Sequence, residues 1–452
     1  MQAMQHALIQ KHAKPAPRYT SYPTAPHFHE GVDGAAYRRW LESIDASQSL
    51  SLYVHVPYCD TLCWFCGCNT KYTRKYRPVA DYLPVVKTEI ARVAAHMAET
   101  AGVQTIHWGG GSPTILTPDD TLDLATHIRH EFQVMPSAGF SIEIDPRGMG
   151  SDKIEALATA GVTRASIGVQ DFDAGVQMTI NRRQSFEETR DVIFELRRVG
   201  IEKINIDLIY GLPGQTLSSV AATVAKVLEL MPSRIALFGY AHVPWMKTHQ
   251  RMLDDAALPD AHARFEQSRI MADLLCAGGY ERIGMDHFAL PDDPLSQARR
   301  AGRLRRNFQG YTDDPADVLL GFGASAIGKL REGYVHNATP TAEYKKLIAD
   351  HGLAVVNGYA LKPDDKLRAY VIERLICDFA ISRQLVRAEF GAAADEIFLI
   401  AGGVARDDKD GLVDWDDDVF RITKKGQPFV RSICSQFDGF LERGNARHSM
   451  AV

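Results

Sequence analysis

Residues 53–69, YVHVPYCDTLCWFCGCN, decide how the chain is interpreted, because they hold four of its seven cysteines in one short loop. These are Cys59, Cys63, Cys66 and Cys68, in the spacing C-x3-C-x2-C-x-C. The apolar residues that precede the cysteines predict a strand, so the cysteines are expected in the loop that follows it. Clustered cysteines in a chain that otherwise has few indicate metal binding or redox chemistry.

Three interpretations of this loop are open. A structural zinc site needs four ligands and commonly uses paired C-x2–4-C units far apart in sequence, whereas Cys66 and Cys68 straddle a single glycine. A purely structural role would bury four thiols in a loop that also contains glycine and aromatic residues. The third interpretation is an iron–sulfur cluster, since thiolates are its usual ligands. C-x3-C-x2-C supplies three of them, so a four-iron cluster would keep one iron open to a small molecule.

Composition and charge argue against several other classes of function. The chain is 45% hydrophobic and 24% charged, as in ordinary globular proteins, and its net charge is −5. This charge gives no global basic field for nucleic acid or an anionic membrane. No apolar run approaches the about 20 residues of a membrane span, and the N-terminus lacks a signal-peptide pattern. We therefore expect a cytoplasmic protein with no nucleic-acid or membrane partner.

Short apolar runs alternate with amphipathic, helix-prone segments through the first half of the chain. The runs are SLYVHV (51–56), TIHWGG (105–110), FSIEIDP (140–146), ASIGVQDF (165–172), INIDLIYGLP (204–213) and IALFGYAHV (235–243). Six strand–helix repeats predict a parallel sheet, and their regular recurrence favours a barrel over a doubly wound sheet. The predicted fold is α/β, with a partial (β/α)6 TIM-like barrel.

Polar residues follow the predicted strands. They are Cys59, Gly109 to Ser112, Glu143, Asp145, Gln170, Asp171 and Asp207. A (β/α) barrel builds its site at the carboxyl ends of its strands, so these residues predict one shared pocket. Three domains are expected: an N-terminal arm over the barrel mouth (1–45), the barrel domain (46–345) and a smaller, mostly helical C-terminal domain (346–452).

The cysteine loop resembles that of the radical S-adenosylmethionine (SAM) enzymes, in which C-x3-C-x2-C follows the first strand of a (β/α) barrel. The turn GGGSPT (109–114) and the aromatic Phe65 are also similar. The resemblance implies a [4Fe-4S] cluster whose open iron holds the amino and carboxylate groups of SAM. Reductive cleavage there yields methionine and a 5′-deoxyadenosyl radical. The glycine turn is implied to bind the amino group of SAM, and we expect its backbone donors to suit this contact.

Motifs over nearly the whole chain resemble the oxygen-independent coproporphyrinogen III oxidases. They are PRYTSYPTA (17–25), YVHVPYC (53–59), CGCN (66–69), HWGGGSPT (107–114), SIEIDPR (141–147), GVQDF (168–172), NIDLIYGLPGQT (205–216), GMDHFALPDD (284–293) and RNFQGYT (306–312). The resemblance implies conversion of the ring A and B propionates of coproporphyrinogen III to vinyl groups, giving protoporphyrinogen IX and carbon dioxide in haem biosynthesis. It also implies two bound SAM molecules and a low-potential electron donor of unknown identity. We expect a monomer.

Site residues are implied by the same resemblance. Cys59, Cys63 and Cys66 would bind the cluster, and Tyr53 would join them as a catalytic residue, while Cys68 is not expected to be a ligand. Contacts to the SAM on the cluster are implied for Tyr53, Gly110, Glu143 and Ile327. Contacts to the second SAM are implied for Phe65, Gly111, Ser112, Gln170, Arg182, Asp207 and Ala241, and Gln309 would lie beside both.

The substrate is a tetracarboxylate, so cationic side chains are expected at the barrel mouth. The candidates are Arg18, in the arm, and Arg303, Arg305 and Arg306, in RLRRNF. For the three latter residues, a basic surface segment is the alternative.

Two other functions share this cluster loop. Some related proteins are haem-binding chaperones without decarboxylase activity, and others are haem-degrading methyltransferases. In the chaperones the CGC is usually replaced and the arm is reduced, whereas this chain has both CGC (66–68) and PRYTSYPTA (17–25). We therefore predict the decarboxylating enzyme, with the chaperone as the alternative.

Overall fold

The computed structural model of the protein describes residues 2–12, 14–98 and 101–441. The end of the predicted C-terminal domain, from residue 442, and residues 1, 13, 99 and 100 lie outside the described residues.

The strands are β1 (Ser49–Val56), β2 (Tyr58–Cys59), β3 (Lys71–Tyr72), β4 (Gly102–Gly110), β5 (Val134–Ile144), β6 (Arg164–Gln170), β7 (Lys203–Tyr210), β8 (Arg234–Gly239), β9 (Glu281–Ile283), β10 (His287–Ala289), β11 (Arg305–Asn307), β12 (Gly310–Thr312), β13 (Val318–Phe322), β14 (Ile327–Lys329), β15 (Gly333–Asn337), β16 (Val355–Ala360), β17 (Ala380–Ser382), β18 (Val413–Trp415) and β19 (Val419–Ile422).

The helices are α1 (Gln2–His12), α2 (Gly34–Glu42), α3 (Arg77–Ala80), α4 (Leu83–His96), α5 (Pro118–Glu131), α6 (Ser151–Thr159), α7 (Ala174–Thr179), α8 (Phe186–Arg198), α9 (Leu217–Leu230), α10 (Ala261–Ala277), α11 (Pro294–Arg300), α12 (Thr341–His351), α13 (Pro363–Asp378), α14 (Arg383–Phe390), α15 (Ala394–Asp407) and α16 (Val430–Cys434). Among the described residues, none of these helices is long and apolar enough to cross a membrane.

One large sheet organises the molecule, in the order β16-β15-β14-β13-β1-β4-β5-β6-β7-β8-β10-β9. The seven strands from β13 to β8 are parallel, and the strands at both ends of the sheet pair antiparallel. The predicted α/β fold with a mostly parallel sheet is therefore confirmed, including all six predicted strands. The sheet has no pairing between β16 and β9 among the described residues, so it is an open, partial barrel.

Helices pack on the outer face of this sheet because their apolar residues recur at helical spacing. Helix α9 is an example: Val220, Val224 and Val227 are fully buried in one core with Ile206 and Leu208 of β7. The helix begins after Thr216, whose hydroxyl accepts a hydrogen bond from the Ser219 amide at 3.1 Å. Packing outside leaves the inner face of the sheet free to line a cavity.

A second core joins the two ends of the chain. It contains apolar residues of α13 to α16, of the small sheet β17-β19-β18 and of the N-terminal segment, where Leu8, Ile9, Tyr19 and Tyr22 are buried. The Tyr19 hydroxyl donates to the Asp438 carboxylate at 3.0 Å. The N-terminal segment thus packs against the C-terminal helices. Strand β16, which lies within the predicted 346–452 domain, is instead hydrogen-bonded into the large sheet.

A buried carboxylate ties α4 to the antiparallel end of the sheet. Glu89 accepts hydrogen bonds from the Gly323 amide at 2.7 Å, the Asn337 side-chain amide at 2.6 Å and the Tyr344 hydroxyl at 2.7 Å. Burial raises the pKa of Glu89 to about 7, although these three donors lower it. The carboxylate therefore holds together elements that are far apart in the sequence.

Replacement of this carboxylate tests its role. Glu89→Ala leaves three buried donors without their acceptor, so we expect the free energy of unfolding to fall by about 2–4 kcal/mol. Urea unfolding followed by circular dichroism measures this loss. The control is Glu229→Ala, which removes an exposed carboxylate from α9 and should change stability by less than about 0.5 kcal/mol. Equal stability of the two variants would contradict a structural role for Glu89.

Candidate active site

A cavity of about 730 Å³ opens at the carboxyl ends of the parallel strands. This volume is within the range of small-molecule sites. The predicted site residues that line it are Tyr53, Cys59, Cys63, Phe65, Cys66, Gly110, Gly111, Glu143, Gln170, Arg182, Asp207, Gln309 and Ile327. They come from separate strands and loops, so the fold brings together residues that the sequence keeps up to 274 positions apart (Tyr53 to Ile327).

Two predicted ligand contacts do not line this cavity. The Ser112 hydroxyl is hydrogen-bonded to that of Thr114 at 3.0 Å, beside the cavity wall. Ala241 lies in the loop after β8, where its carbonyl accepts from the Gln250 side chain at 3.2 Å. Gln250 also donates to the Phe65 carbonyl at 3.0 Å, so Ala241 is linked to the cysteine loop through Gln250.

The four candidate arginines separate into two groups. Arg18 and Arg306 line the cavity, whereas Arg303 and Arg305 are exposed outside it. Arg18 donates to the Gly239 carbonyl at 2.7 Å, so the N-terminal segment reaches the carboxyl end of β8.

The cysteine loop is fixed by hydrogen bonds to its backbone. The Trp64 amide donates to the Ile180 carbonyl at 3.0 Å, and the Asn181 side chain donates to the Leu62 carbonyl at 2.9 Å. On the other side, His249 lies 2.7 Å from the Cys66 carbonyl. These contacts hold the loop at the cavity wall without using any of its thiols.

Two guanidinium groups face the sulfur of Cys63. Arg182 approaches it at 3.5 Å and Arg147 at 3.6 Å. Asp145 orients both, through bonds of 2.5 Å to Arg147 and 3.3 Å to Arg182. Although burial raises the pKa of Asp145, Arg182 and Arg147 lower it below the usual value. Two guanidinium groups and one carboxylate leave a net positive charge beside Cys63, which suits an anionic cluster.

The donor set fits an iron–sulfur cluster. Cys59, Cys63 and Cys66 line one cavity. In the described part of the chain no three His, Cys, Asp or Glu side chains are placed to hold a single metal ion. A cluster instead takes one thiolate per iron, so its ligands are spread around it. Burial raises the pKa of Cys59 to about 12, so the metal itself must favour that thiolate.

Cys68 differs from the other three cysteines of the loop. It is exposed, and its backbone amide lies 3.4 Å from the Cys66 sulfur, to which it donates. The backbone of Cys68 therefore contacts a proposed ligand.

Tyr53 belongs to a short chain of hydrogen bonds that ends at the cysteine loop. Its hydroxyl is 2.9 Å from His55 Nδ1, and His55 Nε2 is 2.9 Å from the Asn69 carbonyl. A carbonyl only accepts, so Nε2 carries the proton and Nδ1 accepts from Tyr53. Burial lowers the pKa of His55, which keeps the ring neutral. Tyr53 thus helps to position the loop as well as to line the cavity.

The glycine turn was expected to bind the amino group of SAM through its backbone amides, but these amides are hydrogen-bonded within the protein. The Gly110 amide donates to Glu143 at 3.0 Å, and the Gly111 amide donates to the Val56 carbonyl at 2.9 Å. These backbone donors are therefore used within the protein. An ammonium group is itself a donor, so the turn can bind one only through carbonyl oxygens. Glycine is still required, because a Cβ on Gly110 would lie 2.7 Å from His55.

Two carboxylates stand on separate strands of the cavity wall. Glu143, on β5, accepts from the Gly110 amide. Asp207, on β7, accepts from the Asn205 amide group at 2.8 Å and the Ser166 hydroxyl at 3.2 Å. Burial, with the nearby charge of Glu143, raises the pKa of Asp207 to about 6. By contrast, Asp171 is buried in loop contacts away from the cavity.

Several cavity residues were not predicted as site residues. His55, Arg147 and His287 lie in quoted motifs, where a polar residue within or just after an apolar strand was the available signal. His107, in HWGGGSPT, had the same signal, whereas Arg234 precedes the apolar run 235–243 and had none.

Comparisons with known proteins agree with this geometry. A family model described as the radical SAM superfamily matches residues 53–227. An oxygen-independent coproporphyrinogen III oxidase from Bradyrhizobium diazoefficiens is 47% identical over 436 residues, which are 96% of this chain and 97% of that protein. Another, from Paracoccus denitrificans, is 43% identical over 436 residues, 96% of each chain.

A solved structure is similar over the same length. The coproporphyrinogen III oxidase of Escherichia coli, described as a radical SAM enzyme, superposes with a TM-score of 0.91 at 39% identity. The match covers 96% of this chain and 99% of that chain. The similarity therefore extends beyond the barrel to the N-terminal and C-terminal segments.

The assignment of the thiols is tested by removing them one at a time. We expect Cys63→Ala to lose the iron and sulfide of protein prepared without oxygen, because only two of the three ligands remain. Cys68→Ala is the matched control in the same loop, and its metal content should equal that of the unaltered protein. Iron and sulfide analysis with absorption spectroscopy measures both. Unchanged iron in Cys63→Ala would remove the ligand assignment.

Proposed function

The chain belongs to the family of oxygen-independent coproporphyrinogen III oxidases, and from this membership we propose which of its side chains hold the cofactors and the substrate. The protein is a radical SAM enzyme of haem biosynthesis that oxidatively decarboxylates coproporphyrinogen III. Membership in this family implies a [4Fe-4S] cluster and SAM. The residue assignment rests on the cysteine loop, whose four cysteines lie on the wall of one large cavity, with Cys59, Cys63 and Cys66 in the C-x3-C-x2-C spacing.

Cys59, Cys63 and Cys66 would hold the cluster. Arg147 and Arg182 support this proposal, since their positive charges lie 3.5–3.6 Å from the Cys63 sulfur. When bound, the cluster and SAM would supply a 5′-deoxyadenosyl radical able to take hydrogen from a carbon that has no acidic proton. The protein's own part is to place the propionate against the 5′ carbon of the deoxyadenosyl group and to exclude water.

Glu143 and the Gly110 carbonyl are proposed as acceptors for the amino group of the SAM on the cluster, beside Tyr53 and Ile327. Carboxylate and carbonyl oxygens suit an ammonium donor. Glu143 supports this role because its hydrogen bond to the Gly110 amide aligns it with the glycine turn.

A second SAM molecule is proposed near Asp207, with Gln170, Arg182, Gly111 and Phe65 around it. The size of the cavity and the separation of its two carboxylates onto β5 and β7 support two ligands. Asp207 would accept from hydroxyl or amino groups of this ligand when ionised. Ser112 and Ala241 are retained only as residues behind the wall, because neither lines the cavity.

The N-terminal arm is proposed to shield the reaction. Arg18 and Thr20 reach the cavity, and the segment around them is fixed by its contacts to the C-terminal core. Arg431 donates to the Pro17 carbonyl at 3.0 Å, which supports a fixed path for the arm. Exclusion of water and oxygen protects a reactive intermediate from side reactions.

We propose that one chain is sufficient for activity, because all the assigned residues come from a single chain. The low-potential electron donor is proposed to approach the cysteine loop from the side on which Gly67 and Cys68 are exposed. Seven free cysteines support a reducing compartment such as the cytoplasm.

Product analysis tests the reaction on this chain. Reduced protein kept without oxygen, with SAM and coproporphyrinogen III, should release protoporphyrinogen IX, carbon dioxide and 5′-deoxyadenosine. Omission of SAM is the control and should abolish all three products. Tight haem binding with no decarboxylation would contradict the enzyme and indicate the chaperone instead.

The two-SAM proposal is tested by the binding stoichiometry. Equilibrium dialysis with labelled SAM should give two equivalents for the unaltered protein and one for Asp207→Ala. Since Asp207 has its pKa raised to about 6, we expect the second equivalent to weaken as the pH falls below 6. Asp191→Ala, on the surface of α8, is the control and should keep both equivalents. One equivalent in the unaltered protein would contradict the proposal.

A further inference from the structure

A second, smaller cavity lies between the end of β8, helix α10 and the two terminal segments. It has a volume of about 120 Å³. Five arginines contribute to its walls: Arg18, Arg264, Arg269, Arg282 and Arg431. None of the residues assigned to the cluster or to SAM lines it.

The positive charge of this cavity is poorly compensated by the protein. The side-chain contacts of Arg18, Arg264 and Arg282 go to backbone carbonyls, of Gly239 at 2.7 Å, of Tyr240 at 2.9 Å and of Met285 at 3.3 Å. The Nε atoms of Arg264 and Arg282 are buried without a hydrogen-bond partner. Carbonyl oxygens satisfy donors, but they do not neutralise a full charge.

The single carboxylate in the wall is already used. Asp286 accepts two hydrogen bonds from Arg306, both at 3.2 Å, and one from His287 at 2.7 Å. Burial raises the pKa of Asp286, but the charge of Arg306 lowers it, and this pKa lies below its usual value. Asp286 therefore balances Arg306, whereas the hydrogen bonds of Arg18, Arg264 and Arg282 go to backbone carbonyls.

Arg269 differs from Arg18, Arg264 and Arg282. Its guanidinium is paired with Glu266 at 2.8 Å and Asp273 at 2.9 Å, and half of its side chain is exposed. Arg269 and Arg264 both lie on α10. Two carboxylates neutralise Arg269, whereas the hydrogen-bond partner of Arg264 is a backbone carbonyl.

The electrostatics agree with an excess of charge. Burial and the neighbouring arginines lower the pKa of Arg18, and burial lowers that of Arg264. The pKa of Arg431 is lowered to about 9 by burial and by Arg18 and Arg306. Arginines remain protonated in proteins, so the lowered values indicate that an anion would stabilise this site.

The small cavity adjoins the large one. Arg18 and Phe238 contribute to the walls of both. Arg18 therefore lies between the large cavity and Arg264. Guanidinium groups bind carboxylates through two parallel hydrogen bonds, and the volume is suited to one short acidic arm.

We propose that the Arg18–Arg264–Arg282 cavity is a binding pocket for a carboxylate of the substrate that does not react. The inference rests on the proposed function, since it takes the tetrapyrrole to be the ligand of the large cavity. It assigns recognition of one non-reacting propionate to residues of α10 and β9 that lie outside the cofactor site. Binding of this propionate would fix which of the other propionates lies beside the cluster.

Binding of coproporphyrin III, the oxidised and fluorescent relative of the substrate, tests the pocket on the holoprotein with SAM. Loss of a charge-assisted pair should weaken its binding to Arg264→Met by about tenfold to a hundredfold. The tetramethyl ester, which lacks the charges, should bind the variant and the unaltered protein equally. Arg190→Met, which alters an exposed arginine of α8 paired with Asp191 outside both cavities, is the control and should bind the free acid within about twofold of the unaltered protein.

Further measurements distinguish the possible negative results. Should Arg264→Met not fold, Arg282→Met carries the same expectation. Unchanged binding of the free acid by a folded Arg264→Met variant would overturn the pocket, whereas absence of decarboxylation by the unaltered protein would overturn only the proposed function. Inorganic phosphate should compete with coproporphyrin III if the pocket takes the substrate carboxylate. Binding of phosphate without competition would overturn it and indicate a separate anion site.

Discussion

The chemistry of this protein requires one loop to ligate a four-iron cluster through only three thiolates, so that the fourth iron stays open to a small molecule. Cys59, Cys63 and Cys66 are the proposed ligands, and the loop that carries them is held at the cavity wall through its backbone. His249 and Asn181 contact loop carbonyls from neighbouring segments. Two arginines lie beside Cys63, where their charge would stabilise the negative charge of the proposed cluster.

Carboxylates and arginines lie at separate positions around this loop. Glu143 and Asp207 place acceptors on the strands where a cationic sulfonium ligand with an ammonium group is expected. Arg18 and Arg264 place donors at the far side, where a tetracarboxylate must be held. We propose that carboxylates near one ligand and arginines near the other let one barrel mouth bind a cationic cofactor and an anionic substrate next to each other. The N-terminal arm contributes to the second wall through Arg18.

The sequence was most informative where the pattern was local. The six parallel strands and the loop of four cysteines were predictable, because apolar runs and cysteine spacing are read within a few residues. Strands β13 to β16 were not predicted, since they are three to six residues long and rich in glycine, which gives no regular period. The roles of Arg147 and Arg264 depend on contacts with residues distant in the sequence, such as Cys63 for Arg147, that only the fold brings together. The glycine turn shows a different limit: its position was predictable, but its amides proved to be occupied by Glu143 and Val56.

Mössbauer spectroscopy of iron-57-enriched protein is the most direct test of the open iron. With three thiolate ligands and SAM added, the account predicts that one iron of each cluster changes its spectrum while the other three keep theirs. SAM labelled with nitrogen-15 at its amino group should also show magnetic coupling to the reduced cluster. Four equivalent irons that do not respond to SAM would contradict the account, because no corner of the cluster would then be available for the ligand.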